Sequence, residues 1–283
     1  MAVPFWKYHG LGNDFIVIDA TSGGLLVEAG QARQLCERHT GIGADGVLTV
    51  LPSSGADFRM HIFNADGSEP DMCGNGIRCF VKYLIDQGRA RGSRVRVETG
   101  AGILECRAHP GSDGRVASVA VDMGAVELER ERIPMLGEGR CLAQKIELGE
   151  LSFEVSALRV GVPHLVLFEK ADLAMARKRG PQLETHPLFP ERTNVDLAEV
   201  KNRREIDLVV WERGCGITLA CGTGACATVA AACLADRVDY DQEVRVNLPG
   251  GTLFVQVQRD LRAVWMRGPA EEVFRGEVEL RFD

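Results

Sequence analysis

Apolar residues occur along the whole chain in short runs, and few of these runs have the spacing of a long helix. Short runs rich in β-branched and aromatic residues and bounded by turn-forming residues are typical of strands. Proline and glycines in Leu248–Thr252 predict a hairpin turn between the last two runs. The predicted strands are Asp14–Asp19, Val47–Leu51, Phe58–Phe63, Arg94–Glu98, Ser118–Asp122, Leu165–Phe168, Ile206–Trp211, Glu243–Leu248 and Thr252–Gln258.

Three segments predict helices. Ala29–His39 is amphipathic, whereas Gly74–Gln87 and Gly222–Asp236 each begin at a glycine-rich turn. Because helices and strands do not alternate regularly, the pattern favours an α+β fold over a doubly wound sheet. The uncharged stretch Gly214–Ala235 is long enough to suggest a membrane span. Its small residues argue against insertion, so we expect a buried helix there.

Two parts of the chain look like copies of each other. One contains Phe63–Gly67 followed by a Cys-Gly-X-Gly turn at Cys73, and the other contains Val210–Gly214 followed by the same turn at Cys221. In both, an apolar strand precedes the turn and a helix rich in small residues follows it. Such a repeat predicts two similar domains, each of which presents one turn.

The boundary between the two domains is expected in Gly124–Arg140, where charged residues cluster without periodicity. We therefore assign residues 1–125 to an N-terminal domain and residues 126–267 to a C-terminal domain. Whether the last strands, in residues 268–283, return to the first domain is left open by the sequence.

The Cys-Gly-X-Gly turn has a definite chemistry. The first backbone N–H groups of a helix lack partners within the helix, and together with the helix dipole they attract anions. Glycine lets the backbone approach a ligand closely. A cysteine at a helix N-terminus is expected to have a lowered pKa. Each turn is therefore predicted to bind a carboxylate beside a partly ionised thiol.

Two such turns suggest inversion of a carbon atom next to a carboxylate. This reaction needs a base on one face of the carbon and an acid on the other, and a thiolate and a thiol can exchange these roles. The helix N-termini would stabilise the negative charge that develops as the α-proton leaves. The scheme requires neither pyridoxal phosphate nor a metal ion, so no cofactor is expected.

The amino-acid composition and charge of the chain exclude some classes of function. The chain has 283 residues, 45% hydrophobic and 26% charged, with a net charge of −7. These values predict a globular protein and disfavour binding to nucleic acid or to an anionic membrane surface. The segment Met1–Lys7 does not resemble a secretory signal, and nine cysteines do not suggest a disulfide framework. We therefore expect a reduced, cytoplasmic protein.

Most of the other cysteines are expected to pack in the core. Cys215 is the one for which a metal or disulfide role is hardest to dismiss, but its spacing from Cys221 is not that of a zinc knuckle. We predict no metal site. The cysteines assigned to packing are Cys36, Cys79, Cys106, Cys141, Cys226 and Cys233.

Taken in order, these motifs resemble those of the diaminopimelate epimerases, which belong to the cofactor-independent two-cysteine epimerases. No single motif is specific, but their order over nearly the whole chain is. The resemblance implies two pseudo-symmetric domains, each a curved, mostly antiparallel sheet around a central helix, with the active site in the cleft between them. The matching motifs are His9–Phe15, Arg38–Gly46, Phe63–Ser68, Cys73–Cys79, Pro163–His164, Arg192–Val195, Glu212–Gly214 and Ala220–Ala225.

The resemblance also implies an isomerase that interconverts LL- and meso-2,6-diaminopimelate in lysine and peptidoglycan precursor synthesis. It assigns the catalytic acid and base to Cys73 and Cys221. His164 and Glu212 would help to set the protonation of the thiols. The substrate-binding residues that it implies are Asn13, Asn64, Gly74, Asn75, Asn194, Glu212, Arg213, Gly222 and Thr223.

Several alternatives stay open. Val162 stands where the family often has asparagine, which leaves room for a racemase of another amino acid. A thiol redox protein with a Cys73–Cys221 disulfide is a second alternative. A non-catalytic binding protein of the same fold is a third, although such proteins tend to lose one of the cysteines. The sequence decides neither which cysteine is the resting thiolate nor whether the protein forms a homodimer.

Overall fold

The structure is a computed structural model that describes residues 2–23, 26–149 and 151–280. This part of the chain forms seventeen strands and four α-helices. The helices are α1 (Ala29–Cys36), α2 (Gly74–Asp86), α3 (Leu173–Glu184) and α4 (Gly222–Leu234). The strands are β1 (Ala2–Gly10), β2 (Asn13–Asp19), β3 (Gly46–Leu51), β4 (Phe58–Asn64), β5 (Arg94–Thr99), β6 (Gly102–Pro110), β7 (Val116–Asp122), β8 (Cys141–Leu148), β9 (Leu151–Val160), β10 (Val162–Phe168), β11 (Asn194–Asn202), β12 (Glu205–Glu212), β13 (Gly216–Ile217), β14 (Val244–Leu248), β15 (Gly251–Val257), β16 (Val264–Pro269) and β17 (Glu271–Glu279).

The chain divides into two compact units. The first consists of Met1–Val121 together with Gly268–Asp283, and the second of Asp122–Arg267. The domain limits expected from the sequence, 1–125 and 126–267, lie close to this division. That each unit is a domain in its own right stays a prediction.

In the first unit, strand pairing follows the chain. β2 pairs antiparallel with β1 and parallel with β3, and β4 pairs antiparallel with β3 and parallel with β5. β5, β6 and β7 then form an antiparallel meander, and β17 pairs antiparallel with β1. Helix α1 connects β2 to β3, and helix α2 connects β4 to β5. Both parallel pairings are therefore bridged by helices, as parallel strands require.

The second unit repeats this scheme. β10 pairs antiparallel with β9 and parallel with β11, and β12 pairs antiparallel with β11 and parallel with β14. β14, β15 and β16 form the antiparallel meander, and β8 pairs with β9. Helices α3 and α4 take the places of α1 and α2. The predicted α+β class, the mostly antiparallel pairing and the internal repeat are confirmed.

A buried helix lies at the core of each unit. α2 is buried over most of its length, and it takes the charged side chains of Arg78 and Lys82 into the interior with it. α4 is built largely from alanine, glycine and cysteine, and it is buried on nearly all sides because such small side chains let neighbouring strands approach closely. The expectation of a buried helix in the uncharged stretch is confirmed. None of the helices that the structure describes is long and apolar enough to span a membrane.

The sequence prediction missed helix α3. Its buried positions are few, with only Ala176, Gly180, Leu183 and Glu184 turned inward, so the apolar pattern is weak. Pro181 lies inside α3, and a proline within a segment argues against predicting a helix there. Since α3 is the counterpart of α1, extending the repeat by one helix would have predicted it.

The predicted helix bounds were slightly too long, most clearly for α1, which ends at Cys36 rather than at His39. Glu37 leaves the helical conformation, and its carboxylate accepts hydrogen bonds from the backbone N–H groups of His39 and Thr40, both at 2.6 Å. This local turn offers the backbone an alternative to another helical turn.

Eight strands were not predicted. Several of them expose both faces along part of their length, so they lack the alternation of apolar and polar residues that the prediction used. In β17, for example, no residue is buried. The missed strands are β1, β6, β8, β9, β11, β13, β16 and β17.

Two glycine substitutions in helices should have opposite effects on stability. A Cβ atom on Gly180 would lie 2.4 Å from Cγ of Trp211, so Gly180→Ala should overpack α3 and lower the free energy of unfolding by about 1–3 kcal/mol. Gly30→Ala in α1 is the matched control, because the nearest atom to its Cβ lies 4.0 Å away. Helix propensity should make this control neutral or more stable by up to about 1 kcal/mol. Urea unfolding midpoints measure both effects, and equal midpoints would contradict the packing argument.

Candidate active site

The first half of the candidate site is built at the start of α2. Cys73 is the N-cap residue of this helix, and its Sγ accepts a hydrogen bond from the backbone N–H of Gly76 at 3.4 Å. A residue in the N-cap position leaves the next N–H groups, those of Gly74 and Asn75, at the free end of the helix. The thiol and the predicted anion-binding groups therefore lie together, as the motif predicts.

Asn13 connects β2 to this turn. Its Oδ1 accepts a hydrogen bond from the Cys73 thiol at 3.7 Å and from Nδ2 of Asn75 at 3.1 Å. Its Nδ2 donates to Oδ2 of Asp45 at 2.8 Å. Because a carboxylate can only accept, Asp45 holds the Asn13 amide with its oxygen toward Cys73. Sequence reasoning gave Asp45 no role of its own within the motif Arg38–Gly46 and missed this orienting contact.

A buried guanidinium lies beneath the same turn. Arg78 is 0% exposed, and it donates to the carbonyl oxygens of Gly74 and Pro269 at 3.0 and 3.2 Å and to Oδ1 of Asn75 at 2.8 Å. It therefore places a fixed positive charge beside the first turn of α2. The motif Cys73–Cys79 contains this arginine, but its burial could not be inferred from the motif.

Asn64 ends β4 in a tight turn. Its backbone N–H donates to the carbonyl oxygen of Ser68 at 2.8 Å, and its Nδ2 donates to the Ser68 hydroxyl at 2.9 Å. Asp66 accepts from the same Ser68 hydroxyl at 2.5 Å. The structure thus gives Asn64 a turn-stabilising contact, and its predicted role toward substrate stays a prediction.

The second half of the candidate site repeats the cysteine cap at the start of α4. Sγ of Cys221 accepts from the backbone N–H of Gly224 at 3.4 Å and lies 3.4 Å from the Thr223 hydroxyl. Cys221 is only 5% exposed. Gly222 and Thr223 form the first turn of the helix, like Gly74 and Asn75 in the first unit.

The charges around Cys221 overturn one prediction. Burial raises the pKa of Cys221 well above its usual value, and the carboxylates of Glu212 and Asp196 raise it further. The Thr223 hydroxyl and the Gly224 N–H lower the pKa by less. The expectation that the helix N-terminus would lower the pKa of Cys221 is wrong, because desolvation and two carboxylates outweigh the helix end.

Glu212 ends β12 beside this cysteine. It accepts a hydrogen bond from the Thr218 hydroxyl, and burial raises its pKa, while Thr218 and His164 oppose the rise. A hydrogen bond with Cys221 acts in the same lowering direction. Glu212 therefore lies where its carboxylate can accept a hydrogen bond from the Cys221 thiol, as its predicted supporting role requires.

His164, on β10, lies opposite Asn194 on the neighbouring parallel strand β11. Both are buried. Nδ1 of His164 lies 3.2 Å from Oδ1 and 2.9 Å from Oδ2 of Asp196, two residues farther along β11. Sequence reasoning missed Asp196, although its charge between the apolar residues Val195 and Leu197 was a readable sign.

The amide of Asn194 is bonded to the protein at both ends. Its Oδ1 accepts from the backbone N–H of Arg213 at 2.7 Å, and its Nδ2 donates to the carbonyl oxygen of Pro163 at 3.1 Å. Asn194 therefore fixes the backbone that carries Arg213. The Arg213 side chain itself is exposed, and its guanidinium donates to the carbonyl oxygen of Glu191 at 2.9 Å.

Glu184, at the end of α3, supports the same turn. Its carboxylate accepts from Nε1 of Trp211 at 2.7 Å and from the backbone N–H of Gly214 at 3.0 Å. It thus holds the two residues on either side of Glu212–Arg213. No sequence pattern marked it, because the helix that carries it was not predicted.

The cysteines expected to pack are all buried, whereas Cys215 is exposed. Within residues 2–23, 26–149 and 151–280, no three histidine, cysteine or acidic side chains are grouped as a metal ion would need. The cysteines that the structure buries in this way are Cys36, Cys79, Cys106, Cys141, Cys226 and Cys233.

Solved structures with a similar fold come from several epimerase-like proteins. A phenazine biosynthesis protein of the PhzF family from Bacillus anthracis matches with a TM-score of 0.71 at 19% identity, covering 99% of this chain and 100% of its own. A hydroxyproline epimerase from Agrobacterium vitis, solved with bound trans-4-hydroxy-L-proline, matches with a TM-score of 0.71 at 17% identity over 98% and 91% of the two chains. At these identities the likeness shows the fold alone.

Sequence comparison is more specific. The profile of the diaminopimelate epimerase family matches residues 5–129 and 156–273. A diaminopimelate epimerase from Moorella thermoacetica is 48% identical over 279 residues, which is 98% of this chain and 99% of the relative. One from Heliobacterium modesticaldum is 45% identical over 283 residues, covering 98% and 100%. The chain therefore belongs to the diaminopimelate epimerase family.

Proposed function

We propose that this protein interconverts LL- and meso-2,6-diaminopimelate by moving the proton on one α-carbon, without a cofactor or metal ion. The reaction class is that of an isomerase in lysine and peptidoglycan precursor synthesis. The observation that carries the proposal is the pair of cysteine-capped buried helices, with a buried guanidinium on the carbonyl oxygen of Gly74 in one turn and buried carboxylates near Cys221 in the other.

The reacting α-carboxylate is bound by backbone N–H groups of the two helix starts in this proposal. Gly74 and Asn75 supply them from α2, and Gly222 and Thr223 supply them from α4. Helix N-termini favour anions, and the charge on the carboxylate grows as the α-proton leaves. The same groups that bind the substrate thus bind the transition state more tightly.

The two cysteines differ in their resting state. We assign Cys221 as the thiol, because burial and the neighbouring carboxylates raise its pKa. Cys73 then supplies the thiolate that removes the α-proton, and the Cys221 S–H bond breaks as its proton moves to the other face of the carbanion. The electron pair of the broken C–H bond stays on the α-carbon and forms the new C–H bond with the proton from Cys221, so that Cys73 ends as the thiol and Cys221 as the thiolate. In the reverse direction the roles are exchanged.

The rest of the substrate carries an ammonium and a second carboxylate. The exposed guanidinium of Arg213 can bind a carboxylate with two hydrogen bonds. Asn13 and Asn64 offer amide groups that serve either charge, while Glu212 offers an acceptor for an ammonium. Asn194 is proposed to act on the substrate chiefly through the Arg213 backbone that it holds. The side chain of Val162 is apolar, so recognition of the end of the substrate that does not react depends on these other residues.

Two further proposals follow from the same chemistry. A reaction that needs one thiol and one thiolate at rest requires a reducing compartment, which supports a cytoplasmic location. The net charge of −7 supports a small-molecule substrate rather than nucleic acid as the partner.

The decisive experiment is incubation of the reduced protein with LL-diaminopimelate in deuterated water. Epimerisation should place deuterium at one α-carbon, as followed by NMR and mass spectrometry. The same incubation with proline and with glutamate distinguishes a racemase of another amino acid. If diaminopimelate stays unlabelled while another amino acid exchanges, the substrate assignment is wrong.

Removing either thiol should abolish catalysis. Cys73→Ala and Cys221→Ala should each lower kcat by at least about 10²–10⁴-fold, because each removes an acid or base that moves a proton in the transition state. Cys233→Ala, which alters a buried cysteine at the far end of α4, is the matched control and should keep its activity. Nearly full epimerisation in either of the first two variants would rule out the two-base mechanism.

A further inference from the structure

We propose that Asp196 is a positioning residue of the second half-site: it fixes the tautomer of His164 and holds a negative charge behind Cys221, so that this cysteine rests as a thiol. The proposal rests on the proposed function, because it explains how one of two similar half-sites becomes the acid. Asp196 does not touch the substrate in this scheme and acts through His164 and Cys221.

The contact between Asp196 and His164 is entirely internal. Both side chains are 0% exposed, and Nδ1 of His164 lies 2.9 Å from one carboxylate oxygen of Asp196 and 3.2 Å from the other. Burial raises the pKa of Asp196, and the neighbouring His164 opposes that rise. A carboxylate placed in this way needs a donor, and the imidazole supplies one.

The contact with Asn194 supports the tautomer of His164 that Asp196 fixes. Its Oδ1 accepts from the backbone N–H of Arg213, so its Nδ2 is the end that lies toward Pro163 and His164. Nδ2 is 3.5 Å from Nε2 of His164. Because that amide nitrogen can only donate, Nε2 presents a lone pair and the proton is on Nδ1, where it is donated to Asp196.

Asp196 also lies close to Cys221, on the other side of Gly224. A Cβ atom on Gly224 would lie 3.2 Å from Oδ1 of Asp196 and 3.3 Å from Sγ of Cys221. Two strands thus bring carboxylates to this cysteine, Asp196 from β11 and Glu212 from β12, and His164 from β10 interacts with both carboxylates. On α4 itself, Thr223 and the Gly224 N–H contact the sulfur.

The first half-site shows that the fold does not need a charged pair at this place. A Cβ atom on Gly76, the counterpart of Gly224, would lie 3.3 Å from Cδ2 of Leu48 and 3.5 Å from Cζ of Phe15. Both of these residues are buried, on the strands that correspond to β11 and β10.

Leu48 therefore corresponds to Asp196, and Phe15 corresponds to His164. An apolar pair fills the space in one unit, and a carboxylate hydrogen-bonded to an imidazole fills it in the other. A buried carboxylate has a desolvation cost, so such a pair is seldom more stabilising than apolar residues of similar volume. This contrast favours a chemical role for the Asp196–His164 pair over a role in folding.

The test compares the ionisation of Cys221 in the full-length wild-type protein and in Asp196→Asn. Asparagine has the same size, and its oxygen still accepts from Nδ1, but the charge is gone. The pH midpoint for alkylation of Cys221 by iodoacetamide, measured by peptide mass spectrometry, should fall by about one unit. The limb of the kcat profile that reports this thiol should move in the same direction.

Asp236→Asn serves as the matched control, because this side chain is 92% exposed beyond the end of α4, and it should leave the Cys221 midpoint unchanged. The double variant Asp196→Leu/His164→Phe copies the apolar pair of the first unit and should lower the midpoint while keeping the fold. An unchanged Cys221 midpoint in a folded Asp196→Asn protein would overturn the proposal.

A measurement on the wild-type protein completes the test without any variant at Asp196. Nitrogen-15 NMR of the histidine rings, with His164 assigned by the signal lost in His164→Gln, should show a proton on Nδ1 and none on Nε2. A proton on Nε2 would contradict the tautomer that the proposal requires. Neither thiol alkylation nor ring NMR depends on turnover, so failure of the diaminopimelate assignment would be seen separately.

Discussion

The candidate site depends on one interaction that is made twice, the hydrogen bond from a helical N–H to the cysteine sulfur that caps the helix. In each unit the third residue after the cysteine donates to Sγ at 3.4 Å, which places the sulfur at the helix N-terminus. A sulfur is a weaker acceptor than the hydroxyl or carboxylate oxygens preferred at this position. The helices are instead held by burial, which is why small residues line them and strands surround them.

A duplicated backbone does not make the two half-sites alike. In the first turn of α2 the buried guanidinium of Arg78 contacts the carbonyl oxygen of Gly74, the residue after Cys73, whereas the carboxylates of Asp196 and Glu212 lie near Cys221. Five residues after each cysteine, the first helix has Arg78 and the second has Cys226. The proposed mechanism needs two thiols in different states, and the different buried charges of the two units support this part of the proposal.

Much of the fold and of the candidate site could be predicted from the sequence, because these features depend on local sequence patterns. The Cys-Gly-X-Gly repeat predicted both central helices and the position of both thiols, and the alternating runs predicted about half of the strands. Prediction failed where packing between residues distant in the sequence determines the structure or the pKa of a side chain. Helix α3 has too few apolar residues to be recognised, and the pKa of Cys221 depends on strands that the motif does not contain.

The residues that were missed share a physical property: they act on a functional side chain rather than on a substrate. Asp45 orients the Asn13 amide, Glu184 holds the backbone on either side of Glu212–Arg213, and Asp196 holds His164. All three are carboxylates that accept from groups distant in the sequence, so no spacing rule identifies them. Because a carboxylate only accepts, each of the three fixes a donor group of its partner: the Asn13 amide, the Trp211 and Gly214 N–H groups, or the His164 ring. The geometry of both half-sites thus depends on acceptors whose contacts the motifs alone do not show.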